Sequence, residues 1–154
     1  MATKQKPNDE KKKGILISCV DARLLDETVA YMESIGLTDK YYHLILAGCS
    51  LGLNGYSDYL RGQLGLIDKV IKMNGHNLEF VYILEHDDCG AYKLTYGPFL
   101  KENNNELKLH KIHAQTLESQ LAIWLKELGI NKVEIKSFIM SLDGRVNDLK
   151  ALKA

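Results

Sequence analysis

The chain alternates short apolar runs with longer segments whose apolar residues recur at helical spacing. Gly14-Ile15-Leu16-Ile17-Ser18-Cys19 has the pattern of a strand buried on both faces. From Leu24 to Ile35, the residues Leu25, Val29, Met32 and Ile35 fall close to helical spacing, and Gly36 is a natural stop. Tyr41 to Ala47 predicts a second strand, ended by Gly48. Ser57 and Asp58 are candidate N-caps for a helix to about Met73, with Leu60, Leu64, Ile67, Val70 and Ile71 on one side. Asn74-Gly75 ends it, and Glu79 to Glu85 predicts the third strand, which delivers His86. The stretch from Tyr92 to Asn105 reads as irregular, marked by Gly97-Pro98 and by Asn103, Asn104 and Asn105. A long helix is expected from about Glu106 to Leu128, carrying Leu109, Ile112, His113, Leu117, Leu121, Trp124 and Leu128, with Gly129 as its cap. Val133 to Ser141 is the fourth strand, followed by a turn at Asp143-Gly144.

Strands alternating with helices predict one α/β domain on a central, mostly parallel sheet of four to five strands flanked by helices. The domain is expected over residues 14–154, behind a flexible polar tail at residues 1–13. No internal repeat and no second domain interrupt it.

Composition narrows the class without naming a reaction. The chain has 154 residues, 45% hydrophobic and 26% charged, enough for a core without disulfide staples. Twenty basic and twenty acidic residues cancel, so no global field draws the chain to nucleic acid or an anionic membrane. The basic run Lys4, Lys6, Lys11, Lys12, Lys13 is broken by Pro7, Asn8, Asp9 and Glu10 and reads as solvated tail. No apolar stretch reaches the ~20 residues of a membrane span, and no secretory signal is evident. With three cysteines, an odd number, a reducing cytoplasmic setting with free thiols is expected.

The candidate chemistry sits at the ends of two predicted strands. Cys19 closes the first, with Asp21 and Arg23 beside it; His86 and Cys89 follow the third. In open α/β sheets, sites gather at the carboxyl ends of strands. Two thiols and one imidazole supply three of zinc's four tetrahedral positions, and an open fourth position marks a catalytic site. Asp21 then has two uses, to orient a metal-bound water or to become the fourth ligand itself. Arg23 can hold that carboxylate off the metal with paired hydrogen bonds. Alone, a single cysteine is ordinarily a small core residue and Asp-x-Arg an ordinary surface ion pair. Together, in this order and at strand ends, the two segments favour the metal.

Cys19-Val20-Asp21-Ala22-Arg23 and His86-Asp87-Asp88-Cys89, with Gly90-Ala91 following, resemble the two signatures of the β-class carbonic anhydrases. The resemblance runs from about Ile15 to Leu149 and includes Phe138 to Gly144, which is similar to the family's last strand and turn. It implies that Cys19, His86 and Cys89 ligate one zinc ion per chain, and that Asp21 and Arg23 are the catalytic pair that gates the metal and orients water. It also implies reversible hydration of carbon dioxide to bicarbonate by attack of zinc-bound hydroxide, in a homodimer or a multiple of dimers. Glu85 stands where the family usually has glycine, which puts a charge beside the metal. The family's loop after the second strand appears as Ile45-Leu46-Ala47-Gly48-Cys49-Ser50, and its N-terminal helical arm is expected to be missing. Two alternatives follow: a related zinc hydrolase of carbonyl sulfide or carbon disulfide, and a catalytically silent zinc-binding relative.

Cys49, at the end of the second strand, is read first as a buried small hydrophobe. Its other readings are a fourth ligand that closes the site or a thiol lining the pocket. His43, His76, His110 and His113 lack metal-like pairing, although one of them is a candidate proton shuttle. Tyr56, Tyr92 and Tyr96 are candidate pocket walls, with packing the more ordinary reading.

Overall fold

The computed structural model describes residues 13–55, 57–74 and 76–154, the side chains of residues 55 and 57–60 lying outside the description. The expected tail therefore falls outside it except for Lys13, as do Tyr56 and the capping side chains of Ser57 and Asp58.

Five strands form one sheet: β1 (Gly14–Ser18), β2 (Tyr41–Ile45), β3 (Phe80–His86), β4 (Glu134–Met140) and β5 (Val146–Asp148). Their order is β2-β1-β3-β4-β5. The first four in sequence run parallel, and β5 pairs antiparallel with β4 after the Asp143-Gly144 turn. Gly144 takes a left-handed φ of 84° there, a conformation glycine adopts without steric cost. This is the α/β architecture the alternating pattern predicts.

Among the described residues the α-helices are α1 (Leu25–Ser34), α2 (Ser50–Gly55), α3 (Ser57–Met73), α4 (Gly90–Tyr96) and α5 (Asn105–Glu127). Side chains alternate across β1. Ile15 and Ile17 meet Leu53 of α2, Ile67 and Ile71 of α3, and Leu117, Leu121 and Leu125 of α5. Leu16 faces the other way, onto Leu24, Met32 of α1, Phe80 and Leu84. Both faces of β1 are thus covered, which explains its unbroken apolar sequence. Each fully buried leucine or isoleucine contributes roughly 1.5–3 kcal/mol, set against the conformational entropy lost on folding.

The structure corrects the pattern in three places. A 3-10 turn at Ala22–Leu24 leads into α1 and rotates its buried face by one residue, onto Leu24, Thr28 and Met32. Leu25, Val29 and Ile35 are exposed instead, and the buried Thr28 hydroxyl is satisfied by the Leu24 carbonyl at 2.7 Å. The stretch after Tyr92 is not irregular throughout: it holds the end of α4 and a 3-10 turn at Gly97–Lys101. Gly97-Pro98 still acts as punctuation, since Gly97 ends α4 at φ 55° and the proline opens the next turn. Third, α2 stands where only a loop is legible, because two glycines in six residues give it poor helix propensity.

Candidate metal centre

Register brings the two motifs together. Ser18 pairs with Leu84 across the parallel β1–β3 ladder, so the chain leaving β1 at Cys19 emerges level with the last residues of β3. His86 ends β3, and the chain then bends through Asp87 and Asp88 to Cys89, the N-cap of α4. Asp88 takes a left-handed φ of 61°, which helps turn the bend back toward β1.

Among the described residues, Cys19, His86 and Cys89 form a group whose ligand atoms all lie within 4.8 Å of one another. The Cys19 and Cys89 sulfurs are 3.9 Å apart. Two sulfurs bound to tetrahedral zinc at ~2.3 Å stand about 3.8 Å from each other, so the pair already has the right span. The His86 ring supplies the sharper test. Its Nδ1 lies 2.8 Å from the Asp87 carbonyl, which only accepts, so the proton resides on Nδ1. Nε2 is left with a bare lone pair, buried and without any hydrogen-bond partner. An orphaned buried nitrogen costs free energy unless something binds it, and two sulfurs beside it fit a soft or borderline metal ion.

The thiols are electronically prepared. Donation by the Cys89 thiol is the largest influence on Cys19 and, with the Gly48 N–H at 3.4 Å beside it, lowers the Cys19 pKa despite burial. Cys89, which faces that thiolate and is itself buried, is pushed well above the ordinary thiol value. Thiolates rather than thiols bind metal, so a cation entering between the two sulfurs would displace thiol protons.

Asp21 and Arg23 stand at the rim. Arg23 donates from Nε at 3.0 Å, from Nη2 at 2.7 Å and from its backbone N–H at 3.0 Å to the Asp21 carboxylate. These bonds hold the Asp21 carboxyl well below the usual carboxylate range. Its Oδ2 sits 3.8 Å from the orphaned His86 Nε2, so the carboxylate faces the ligand cluster while the guanidinium restrains it. The same guanidinium reaches the Asp88 side chain at 3.0 Å and the Asp88 carbonyl at 3.1 Å, tying the two motifs to each other. Lys93 pairs with the other Asp88 oxygen.

Cys49 does not join the cluster. It is buried, its thiol points 3.5 Å from the Ile17 carbonyl, and burial raises its pKa well above the ordinary value. Glu85 puts no charge on the metal side. Following the alternation of Val81 and Ile83 along β3, its carboxylate runs under α5 and is enclosed by Ser50, Tyr92 and His110. His43 bonds Ser18 Oγ at 2.7 Å, His113 meets Tyr96 OH at 2.5 Å, and His76 is exposed. Tyr92 is fully buried and packs against His110, 3.9 Å between ring centroids, which makes it a core residue. Glu106 is missed by the local pattern, and for Ser50 and His110, named there only as a loop residue and a candidate proton shuttle, the pattern misses the contact with Glu85. The available signal is indirect: a charged residue in an apolar strand, and a histidine on the buried helical face of Leu117 and Leu121.

No family model matches the chain. The uncharacterized protein RC0076 of Rickettsia conorii is 35% identical over 136 residues, covering 88% of this chain and 70% of that protein. An uncharacterized protein of Rickettsia bellii is 32% identical over 136 residues, covering 88% of this chain and 80% of its own length. In fold, the chain is similar to the β-carbonic anhydrase CafA of Aspergillus fumigatus, with a TM-score of 0.59 and 13% identity over 94% of this chain and 78% of that one. A tetrameric β-carbonic anhydrase of Sordaria macrospora gives a TM-score of 0.55 and 14% identity, over 94% of this chain and 83% of that one. At such identities the likeness establishes a shared fold.

Proposed function

We propose that this chain, which belongs to the family of the Rickettsia conorii protein RC0076 and has the fold of the β-carbonic anhydrases, is a zinc-dependent lyase that hydrates carbon dioxide reversibly to bicarbonate. The observation that carries the reading is the orphaned His86 Nε2, buried between two thiols and faced by a restrained carboxylate. Cys19, His86 and Cys89 would hold the zinc. When bound, zinc supplies the Lewis acidity that brings the pKa of water toward neutrality.

The protein's own residues supply orientation. Asp21, kept ionised by Arg23, would accept a hydrogen bond from water at Oδ2, the oxygen that lies 3.8 Å from His86 Nε2. Two thiolates would offset more of the ion's charge than neutral imidazoles do, so a fixed acceptor at Asp21 would matter more. Arg23, bonded to both Asp88 and Asp21, would hold Asp21 back from becoming a fourth ligand. The remote thiol of Cys49 and the restrained Asp21 both favour an open site over a silent, closed one. A homodimer or a multiple of dimers in the cytoplasm is the setting we assign, and sedimentation equilibrium measures the former directly.

Stopped-flow hydration of carbon dioxide by protein of verified zinc content tests the assignment. Turnover that follows zinc content supports it. Zinc-loaded protein that is inert at every pH from neutral to mildly alkaline would sink it. Sulfide release from carbonyl sulfide or carbon disulfide by that inert protein would transfer the site to a related hydrolase.

A further inference from the structure

We propose that the buried Glu85–His110 pair, extended by Glu106, is the positioning unit of the metal centre and sets its affinity and geometry. The proposal rests on the metal reading of Cys19, His86 and Cys89. Glu85 is 1% exposed and His110 fully buried, with His110 Nδ1 at 2.8 Å from Glu85 Oε2. Few environments are less hospitable to two ionisable groups, and each remaining polar atom of Glu85 is engaged. Oε1 accepts the Ser50 N–H at 3.0 Å and the Ser50 hydroxyl, while Tyr92 OH donates to Oε2 at 3.3 Å.

From this pair, short connections lead to all three ligands. Glu85 precedes His86 directly on β3, so fixing its carboxylate fixes the strand end that aims the imidazole. Ser50 opens α2 directly after the turn whose Gly48 N–H points at the Cys19 sulfur, so the Ser50–Glu85 bonds hold that donor in place. On the far side, His110 Nε2 lies 3.7 Å from Glu106 Oε1, and that oxygen accepts the Cys89 N–H at 3.0 Å. Tyr92 stacks on His110 and covers the assembly.

Stability is a poor explanation for such a pair. A buried ion pair spends most of its attraction on desolvation, and a well-packed apolar replacement is often neutral or stabilising. Orientation is the better one, because residues that brace metal ligands from behind typically govern metal affinity 10–100-fold.

The experiment compares wild type, Glu85→Gln and the apolar double variant Glu85→Leu/His110→Phe. Zinc affinity is read by competition with a chromogenic chelator, ligand geometry by the d–d absorption of the cobalt-substituted protein, and folding by thermal melting without metal. We expect the double variant to fold with a lower melting temperature, because the Ser50 N–H loses its acceptor and the new side chains are bulkier, and to bind zinc about 10–100-fold more weakly with altered cobalt bands. Glu85→Gln, which keeps the Ser50 contacts, is expected to fall between. Wild-type affinity and cobalt spectrum in a folded double variant would overturn the proposal; should that variant not fold, the same result in Glu85→Gln overturns it. A wild-type chain that takes up no zinc overturns the metal reading itself, which separates the two failures.

Discussion

Asp21 is held by more donors than a surface carboxylate ordinarily attracts. Three groups of Arg23 converge on it, and Arg23 is braced in turn by Asp88. An exposed pair of this kind adds little stability, because water screens it. Its geometric effect is larger, since it fixes where an ionised oxygen stands relative to His86 Nε2. Asp21→Ala is therefore expected to keep its zinc, by elemental analysis, while kcat/KM for carbon dioxide hydration falls by about 10²–10⁴. Loss of metal in that variant would instead make Asp21 a ligand. Cys49 gives the opposite contrast. With its thiol turned to the Ile17 carbonyl inside the core, Cys49→Ala is expected to retain one zinc per chain and lose about 1–2 kcal/mol in urea unfolding. A halved zinc content would return Cys49 to the metal.

At the scale of elements, the turn at 47–50 and the start of α2 join the metal motif to the core. Gly52 makes this packing tight: a Cβ there would come within 2.2 Å of the Ala47 carbonyl and 3.1 Å of Leu46. Gly52→Ala must push the turn away, and with it the Gly48 and Ser50 donors. We expect a loss of about 1–3 kcal/mol in denaturant unfolding, together with weaker zinc binding in the folded fraction. The pair beneath α5 has a signature in pH. Burial opposes protonation of His110, but Glu106 and Glu85 outweigh it and lift its pKa from 6.5 to about 9. A raised folded value means the contribution is complete below the unfolded pKa of 6.5 and is lost as pH climbs through about 9. Metal-free wild type should therefore lose stability over that window relative to Glu85→Leu/His110→Phe, as followed by urea titrations at stepped pH.

These elements also show what a linear pattern can carry. β1 and β3 are legible because both faces are buried and continuous apolar runs leave no alternative. Cys19, His86 and Cys89 are legible because their spacing places them at the ends of those two strands. The face of α1 is not, since the 3-10 turn before it shifts the phase by one residue. Nor is the Glu85–His110 contact, which depends on α5 passing over β3 and has no local spacing to announce it.

For the molecule as a whole, the candidate ligands come from distant parts of the chain, Cys19 after β1 and His86 with Cys89 around the end of β3. A metal bound there favours the folded state over any state in which those segments separate, so its affinity becomes stability by mass action. The two apolar clusters on either side of the sheet lie in the body of the domain, with the site at the strand ends. Zinc removal should consequently leave a folded protein of lower melting temperature, unlike small domains that need their metal to fold at all. Free zinc at a hundred times its dissociation constant adds about 2.7 kcal/mol, and each further decade about 1.4 kcal/mol. For a chain of this length, 1 kcal/mol moves the melting temperature by about 2–4 °C, so each decade of zinc should raise it by roughly 3–6 °C. Calorimetric melts across a zinc-buffer series, with magnesium as the control ion, measure this slope. Cys19→Ser should flatten it while leaving the metal-free melt nearly unchanged, because that sulfur lies at the edge of the core. A wild-type melting temperature indifferent to zinc would mean that the cluster holds no metal in solution.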